Sequence, residues 1–275
     1  MTTLLVAFDV FREAFARRAL LGLFAILLLG QVTLALALDL DVVEGAIVAG
    51  RMFGSQLSGG SVESKLRPVF EALATAVFHL GLLFGIVASS DVAAKLLAPG
   101  RVELLLALPV RRAELVVGTY LGVIGVAILS TTFAVTGVSV ILYFKTGFAT
   151  PAALAGAACA TVGFMAVYAA MLLSTALVRA PALASGVGLV VYVLCLVTSN
   201  RETFTSWFQG ETTQAVMGVL IAPLPRFGAL VDVATGLAAD GSLAPATALG
   251  AVAGTLAFAG AGVAAAAYVV SGRDY

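Results

Sequence analysis

Charge is scarce in this 275-residue chain: Asp, Glu, Lys and Arg make up 11% of it, against 61% hydrophobic residues. A soluble domain carries about 25% charged and roughly 45–50% apolar residues. No soluble fold hides so much apolar surface, so lipid must cover most of it. The mean hydropathy of +1.10 agrees. The few charges balance, 15 basic against 15 acidic, which leaves no basic field for a nucleic acid. Histidine occurs once, at His79, which excludes a histidine-pair zinc site or an H-E-x-x-H helix. None of the three lysines, Lys65, Lys95 and Lys145, follows a glycine, so the ATP-binding loop G-x-x-x-x-G-K-[ST] is absent, as is G-x-S-x-G. The expectation is a chain that is not itself an enzyme and binds no metal or cofactor. Cys159 and Cys195 lie inside apolar runs and read as small packing residues, not as a disulfide framework.

What is abundant is long apolar sequence. Runs able to cross about 30 Å of hydrocarbon, about 20 residues each, number six: 19–38, 69–90, 115–144, 146–178, 181–199 and 244–270. They predict an all-α integral membrane protein, one transmembrane domain over 1–275, with both ends on one side. Arg17 and Arg18 before an apolar run and Ala35-x-Ala37 resemble a secretory signal, but the leading region is too long and the run long enough to span. Leu4, Phe8, Phe11 and Phe15 recur at i, i+4, i+7 and i+11, while Asp9, Arg12, Glu13 and Arg17 fall elsewhere on the wheel. That pattern predicts an interfacial amphipathic helix over 1–18. Nine Lys/Arg fall on the side of residues 1–18, 91–114, 179 and 273, and six on the longer loops opposite. The denser side is expected to be cytoplasmic.

The outward segments have texture. Asp39, Asp41 and Glu44 open the first loop, where they offer either a cation site or solvated headgroup-side charge. Within 200–243, TTQAVMGVLIAPLP is too short to cross. RFGALVDVATGLAAD follows it, a helix-like pattern broken by Gly236. A re-entrant or interfacial hairpin packed between the last two spans accounts for both. Gly118 and Gly122, and Gly250 and Gly254, are four apart, a spacing for close helix approach within a bundle or at a homodimer seam. Glu71, Thr75 and His79, also four apart, form one stripe on the second span. It reads as the polar wall of a translocation path, or as a histidine satisfied by a neighbouring helix. Ser130, Thr131, Thr132, Thr136 and Ser139 are expected to bond to their own helix backbone.

The charge that exists concentrates in LLAPGRVELLLALPVRRAELVVGTYLG, residues 96–122. Pro99-Gly100 breaks the chain, VELLLAL reads as a short apolar helix with Glu103 near its positive end, and Pro109 stops it. Arg111, Arg112 and Glu114 form a charged collar before the next span. An apolar helix on a charged loop suits docking into a groove of a soluble partner, or lying on lipid.

This stretch resembles the signature loop of type 2, exporter-type ATP-binding-cassette permeases. Gly100, Glu103, Leu104, Leu105, Leu106, Pro109, Val110, Arg112, Glu114, Gly118 and Gly122 match that pattern position by position. Arg111 stands where serine is common and Thr119 where lysine is common, and LLAPG replaces an acidic-basic pair. The resemblance implies the membrane-spanning subunit of an ATP-driven exporter in a bacterial cytoplasmic membrane, with both termini inside. It also implies a second permease half, for which the glycine-rich seams permit a homodimer, and separate ATPase subunits carrying ATP and Mg. Residues 91–114 would then be the coupling loop that sits in a cleft of the ATPase. A different class of function, an ion-coupled secondary transporter using Glu71 and His79, predicts symmetric halves. Residues 1–114 and 115–275 have different loop patterns.

Overall fold

The computed structural model describes residues 2–16, 18–43, 46–52, 55–57, 62–96, 111–146, 152–178, 180–208, 210–239 and 245–272. Ten helices account for most of them: α1 (Thr2–Ala16), α2 (Arg18–Ala37), α3 (Val62–Leu96), α4 (Arg112–Thr146), α5 (Ala152–Val178), α6 (Pro181–Val197), α7 (Arg201–Ser206), α8 (Glu211–Ile221), α9 (Phe227–Ala239) and α10 (Pro245–Ser271). Each of the six apolar runs is helical over most of its described residues. Four helices, α3, α4, α5 and α10, are long and apolar enough to cross a bilayer, and α1 with α2, bent by 65°, makes a fifth candidate. The chain is therefore a multi-pass, helical membrane protein. α6, at 17 residues, is shorter than those four.

Two boundaries differ from the sequence reading. α3 begins at Val62 and runs to Leu96, 35 residues or about 50 Å, taking in Pro68 and the first residues assigned to the loop 91–114. The first loop is not plain coil either. Leu38–Val43, Ala46–Met52 and Ser55–Leu57 form an antiparallel three-stranded meander in sequence order. Its backbone pairing satisfies polar groups that an irregular loop would leave to solvent. Glu44 lies outside the described residues, so a cation site built with Asp39 and Asp41 is not described.

α5 is the hub. Ala166, Val167, Tyr168, Ala169 and Met171 are wholly buried, and α3, α4, α6, α9 and α10 all pack on this helix. Small residues set the distances: a Cβ on Gly163 would meet the Phe78 ring at 3.2 Å, and one on Gly262 would meet the Ala169 Cβ at 3.0 Å. Without a hydrophobic drive between helices in lipid, such packing holds the bundle together. Cys159 and Cys195 are buried and free, as the packing reading expects. Ser130 and Thr131 donate to Val126 and Ala127 of their own helix, also as expected.

The two glycine pairs have different fates. At Gly118 a Cβ would lie 2.7 Å from the Val6 Cβ, and at Gly122 2.7 Å from the Ala7 carbonyl oxygen. α1 therefore docks in a notch cut into α4, using Val6, Val10 and Ala14, while Leu4, Leu5 and Phe8 stay exposed on its other face. The exposed apolar stripe fits an interfacial helix. Gly250 and Gly254 meet nothing within 4 Å, so packing within the described bundle is not their role.

The 200–243 segment also differs in detail. α8 and α9 form the expected pair of helices, but Gly236 lies inside α9 and does not break it. α9 buries Phe227, Leu230 and Ala234, one face at i, i+3 and i+7. It packs chiefly on α5 and α3, not between α6 and α10. The Phe78 ring, edge-on to Phe227 at 5.7 Å, draws that face inward.

Opposite signs are expected at the two glycine pairs. Gly122→Ala forces a methyl against the α1 backbone and should destabilise by about 1–3 kcal/mol. Gly254→Ala meets open space and should be neutral or stabilising by up to about 1 kcal/mol through helix propensity. Thermal unfolding of both variants in detergent checks this, and equal losses would contradict the notch.

Candidate functional site

The coupling-loop residues Gly100, Glu103, Leu104, Leu105, Leu106 and Pro109 lie outside the described residues. The collar that follows them is described, and it is bonded within the chain. Glu114 is the third residue of α4 and accepts the backbone N–H of Arg111, just before the helix, at 3.2 Å. That is the N3 carboxylate half of a capping box, favourable at the positive end of a helix. The same carboxylate oxygen accepts the Thr2 hydroxyl at 2.6 Å, tying the start of α1 to the start of α4. Arg112 donates from Nη1 to the Ser271 carbonyl at 3.4 Å, tying α4 to the last residue of α10.

These contacts gather Thr2, Arg111, Arg112, Glu114 and Ser271 at one end of the bundle, where the 97–110 segment connects. The charges read from the sequence as a partner's rim thus have a structural task already. Two of the three collar residues brace the base from which the loop departs.

The candidate path residues divide. Glu71 and Thr75 line an open cleft of about 620 Å³ at the opposite end, together with Arg67, Asp232 and Thr235. Glu71 accepts from Arg67 at 3.2 Å in an ion pair whose side chains are 46% and 41% exposed. Thr75 donates to the Glu71 carbonyl, one turn back. Asp232 and Thr235 come from α9 and complete the polar wall. Sequence reading did not single them out, because VDVAT gives no sign that α9 will lie beside α3.

His79 does not line that cleft. Its Nδ1 is 2.9 Å from the Tyr192 hydroxyl of α6, and its ring stands edge-on to both Phe78 and Tyr192. The neighbouring-helix bond anticipated for this histidine is therefore present, and the stripe is not one continuous path. Gln31 of α2 is a second intramembrane polar group that the sequence reading passed over. It is buried against Gly137, with Nε2 donating to the Phe133 and Ala134 carbonyls at 3.2 and 3.3 Å. The signal was there, a lone amide in an apolar run, which in lipid demands a partner. Among the described residues no His, Cys, Asp and Glu group could hold a metal.

Stability should separate these polar groups. Tyr192→Phe removes one half-buried hydrogen bond and should cost about 1 kcal/mol, with His79→Ala non-additive to it in a double-mutant cycle. Glu71→Gln breaks only an exposed i,i+4 pair and should cost less than about 0.5 kcal/mol. Denaturation in detergent measures all three, and additivity of the first two would contradict the bond.

No family model matches this chain, and none of the curated proteins compared with it is significantly similar.

Proposed function

We propose that this chain is the membrane-spanning permease subunit of an ATP-driven exporter, docking a separate ATPase through residues 91–114. The observation that carries the reading is the 100–122 stretch, whose residues match the coupling-loop pattern of exporter-type ATP-binding-cassette permeases. Three further points support it. The described bundle is helical and apolar, with four or five candidate spans. The sequence has no ATP-binding loop of its own, so an energised process needs a partner. Thr2 of α1 and Ser271 of α10 bond to Glu114 and Arg112 at the start of α4, a route by which a push on the adjoining loop would reach α1, α4 and α10.

In this reading the six apolar runs all span, and the end bearing Thr2, Glu114 and Ser271 is cytoplasmic. The partner ATPase carries ATP and Mg, and closure of the ATPase pair drives the collar. The rigid ties at the collar convert that push into tilting of α4 and α10. A second permease half, identical or not, completes the path. Transport coupled to an ion through Glu71 and His79 is less well supported, because His79 bonds to Tyr192 away from the cleft that holds Glu71.

The test is purification of the tagged chain from its native membranes in mild detergent, with mass spectrometry of what accompanies it. A stoichiometric P-loop ATPase should co-purify with the native chain and be lost from Leu105→Asp. Stability should stay within about 0.5 kcal/mol, as for a surface substitution. An ATPase retained by Leu105→Asp would contradict docking at the loop.

A further inference from the structure

A second open cleft, about 1030 Å³, lies between the 222–226 connection, α9 and α10. One end is basic. Asn200 caps α7, its side chain accepting the Thr203 N–H, which makes Arg201 the first residue of that helix. Arg226 lies one residue before α9. Ser199 clamps the two starts together: its hydroxyl donates to the Cys195 carbonyl at 2.6 Å and accepts the Gly228 N–H at 2.8 Å. A Cβ on Gly228 would lie 2.9 Å from that of Ser199, so only glycine permits the approach.

Both arginines line the cleft. Arg201 Nη2 donates to the Ala222 and Leu224 carbonyls at 2.8 and 3.2 Å, which fixes the guanidinium plane, while its buried Nε has no acceptor. Arg226 is exposed, and its guanidinium makes no hydrogen bond or ion pair to another described residue. Burial and the Arg226 charge hold the Arg201 guanidinium below its usual range, the sign of two cations facing one space. Asp232 also lines the cleft and offsets one of the two charges, leaving a net positive mouth.

The other wall is an apolar trough. Gly250, Gly254, Ala257 and Ala261 line it from α10, and both glycines have empty space where a side chain would be. From Gly250 to Ala261 a helix rises about 16 Å, close to the hydrocarbon depth of one leaflet, about 15 Å. Arg201 lies four residues past the end of the apolar α6. α8 beside it exposes Val216, Val219 and Leu220.

We propose that this cleft is a binding site for an anionic phospholipid of the surrounding bilayer, its phosphate held by Arg201 and Arg226 and an acyl chain laid along the α10 trough. With Nη2 held by the Ala222 and Leu224 carbonyls, Arg201 keeps Nη1 for a phosphate oxygen, and Arg226 supplies the second cation. The site rests only on the membrane-embedded bundle and stands whether or not the chain works with an ATPase.

The test uses the full chain in nanodiscs of phosphatidylcholine with a minor fraction of phosphatidylglycerol, followed by native mass spectrometry of retained lipid. The native chain should hold phosphatidylglycerol in preference to phosphatidylcholine. Arg226→Gln should lower that retention about tenfold, the loss of a charge-assisted contact, and Arg226→Lys should restore part of it. Gly254→Leu, which meets open space and so should fold, should lower it by filling the trough with the charges intact. Equal retention of the two lipids, or retention unchanged in both Arg226→Gln and Gly254→Leu, overturns the proposal. So does full competition by inorganic phosphate, which would mark a site for the anion alone. A disulfide between copies of Gly254→Cys in the membrane would also overturn it, by placing a second chain in the trough.

Discussion

Close approach to α5 is the constraint on which the structure depends. Lipid offers no hydrophobic reward for joining two apolar helices, so the bundle must be held by fit and by hydrogen bonds made where water is absent. α5 supplies the fit through alanine and glycine, with Phe164, Tyr168, Met171 and Leu172 among its large buried groups. Five other helices use that surface. Because α9 is among them, a segment too short to cross the bilayer still belongs to the core, and its arrival creates both clefts. Asp232, on the outer face of α9, lines each of them.

The same logic governs the opposite end. α1 can lie along α4 only because Gly118 and Gly122 leave the space, and the Thr2–Glu114 bond then fastens its first residues. Arg112 reaches Ser271 in turn. The start of α4 is thus bonded to both α1 and α10. Under the proposed function, these two bonds are the route by which a push on that end would reach α1 and α10.

Much of this was legible in the sequence, for physical reasons that differ by element. Helical apolar runs announce themselves because lipid forces every backbone group to bond locally, and all six were found as helices. The amphipathic 2–16 segment was legible from Leu4 and Phe8. Its docking face was not, since Val6, Val10 and Ala14 are unremarkable until α4 is beside them. The glycine pairs looked alike in sequence and serve differently, one filled by α1 and the other open. Periodicity gave Glu71, Thr75 and His79 a common face, yet a helix face about 12 Å long touches more than one neighbour. Tyr192 took the histidine, and α9 met the other two. The meander at 38–57 was missed because its alternation is short and masked by glycine and charge.

The bundle is two-ended, with the collar, Thr2 and Ser271 at one end and α7 to α9 at the other. Both native cysteines are buried, so single introduced cysteines can report on sidedness. The most direct measurement is labelling of Ser271→Cys and Ser206→Cys by a membrane-impermeant thiol reagent in intact cells and in inverted vesicles. Ser206→Cys should react in intact cells and Ser271→Cys only in inverted vesicles. Reaction of both from the same side would contradict the arrangement on which the docking loop, the clefts and the proposed function all rest.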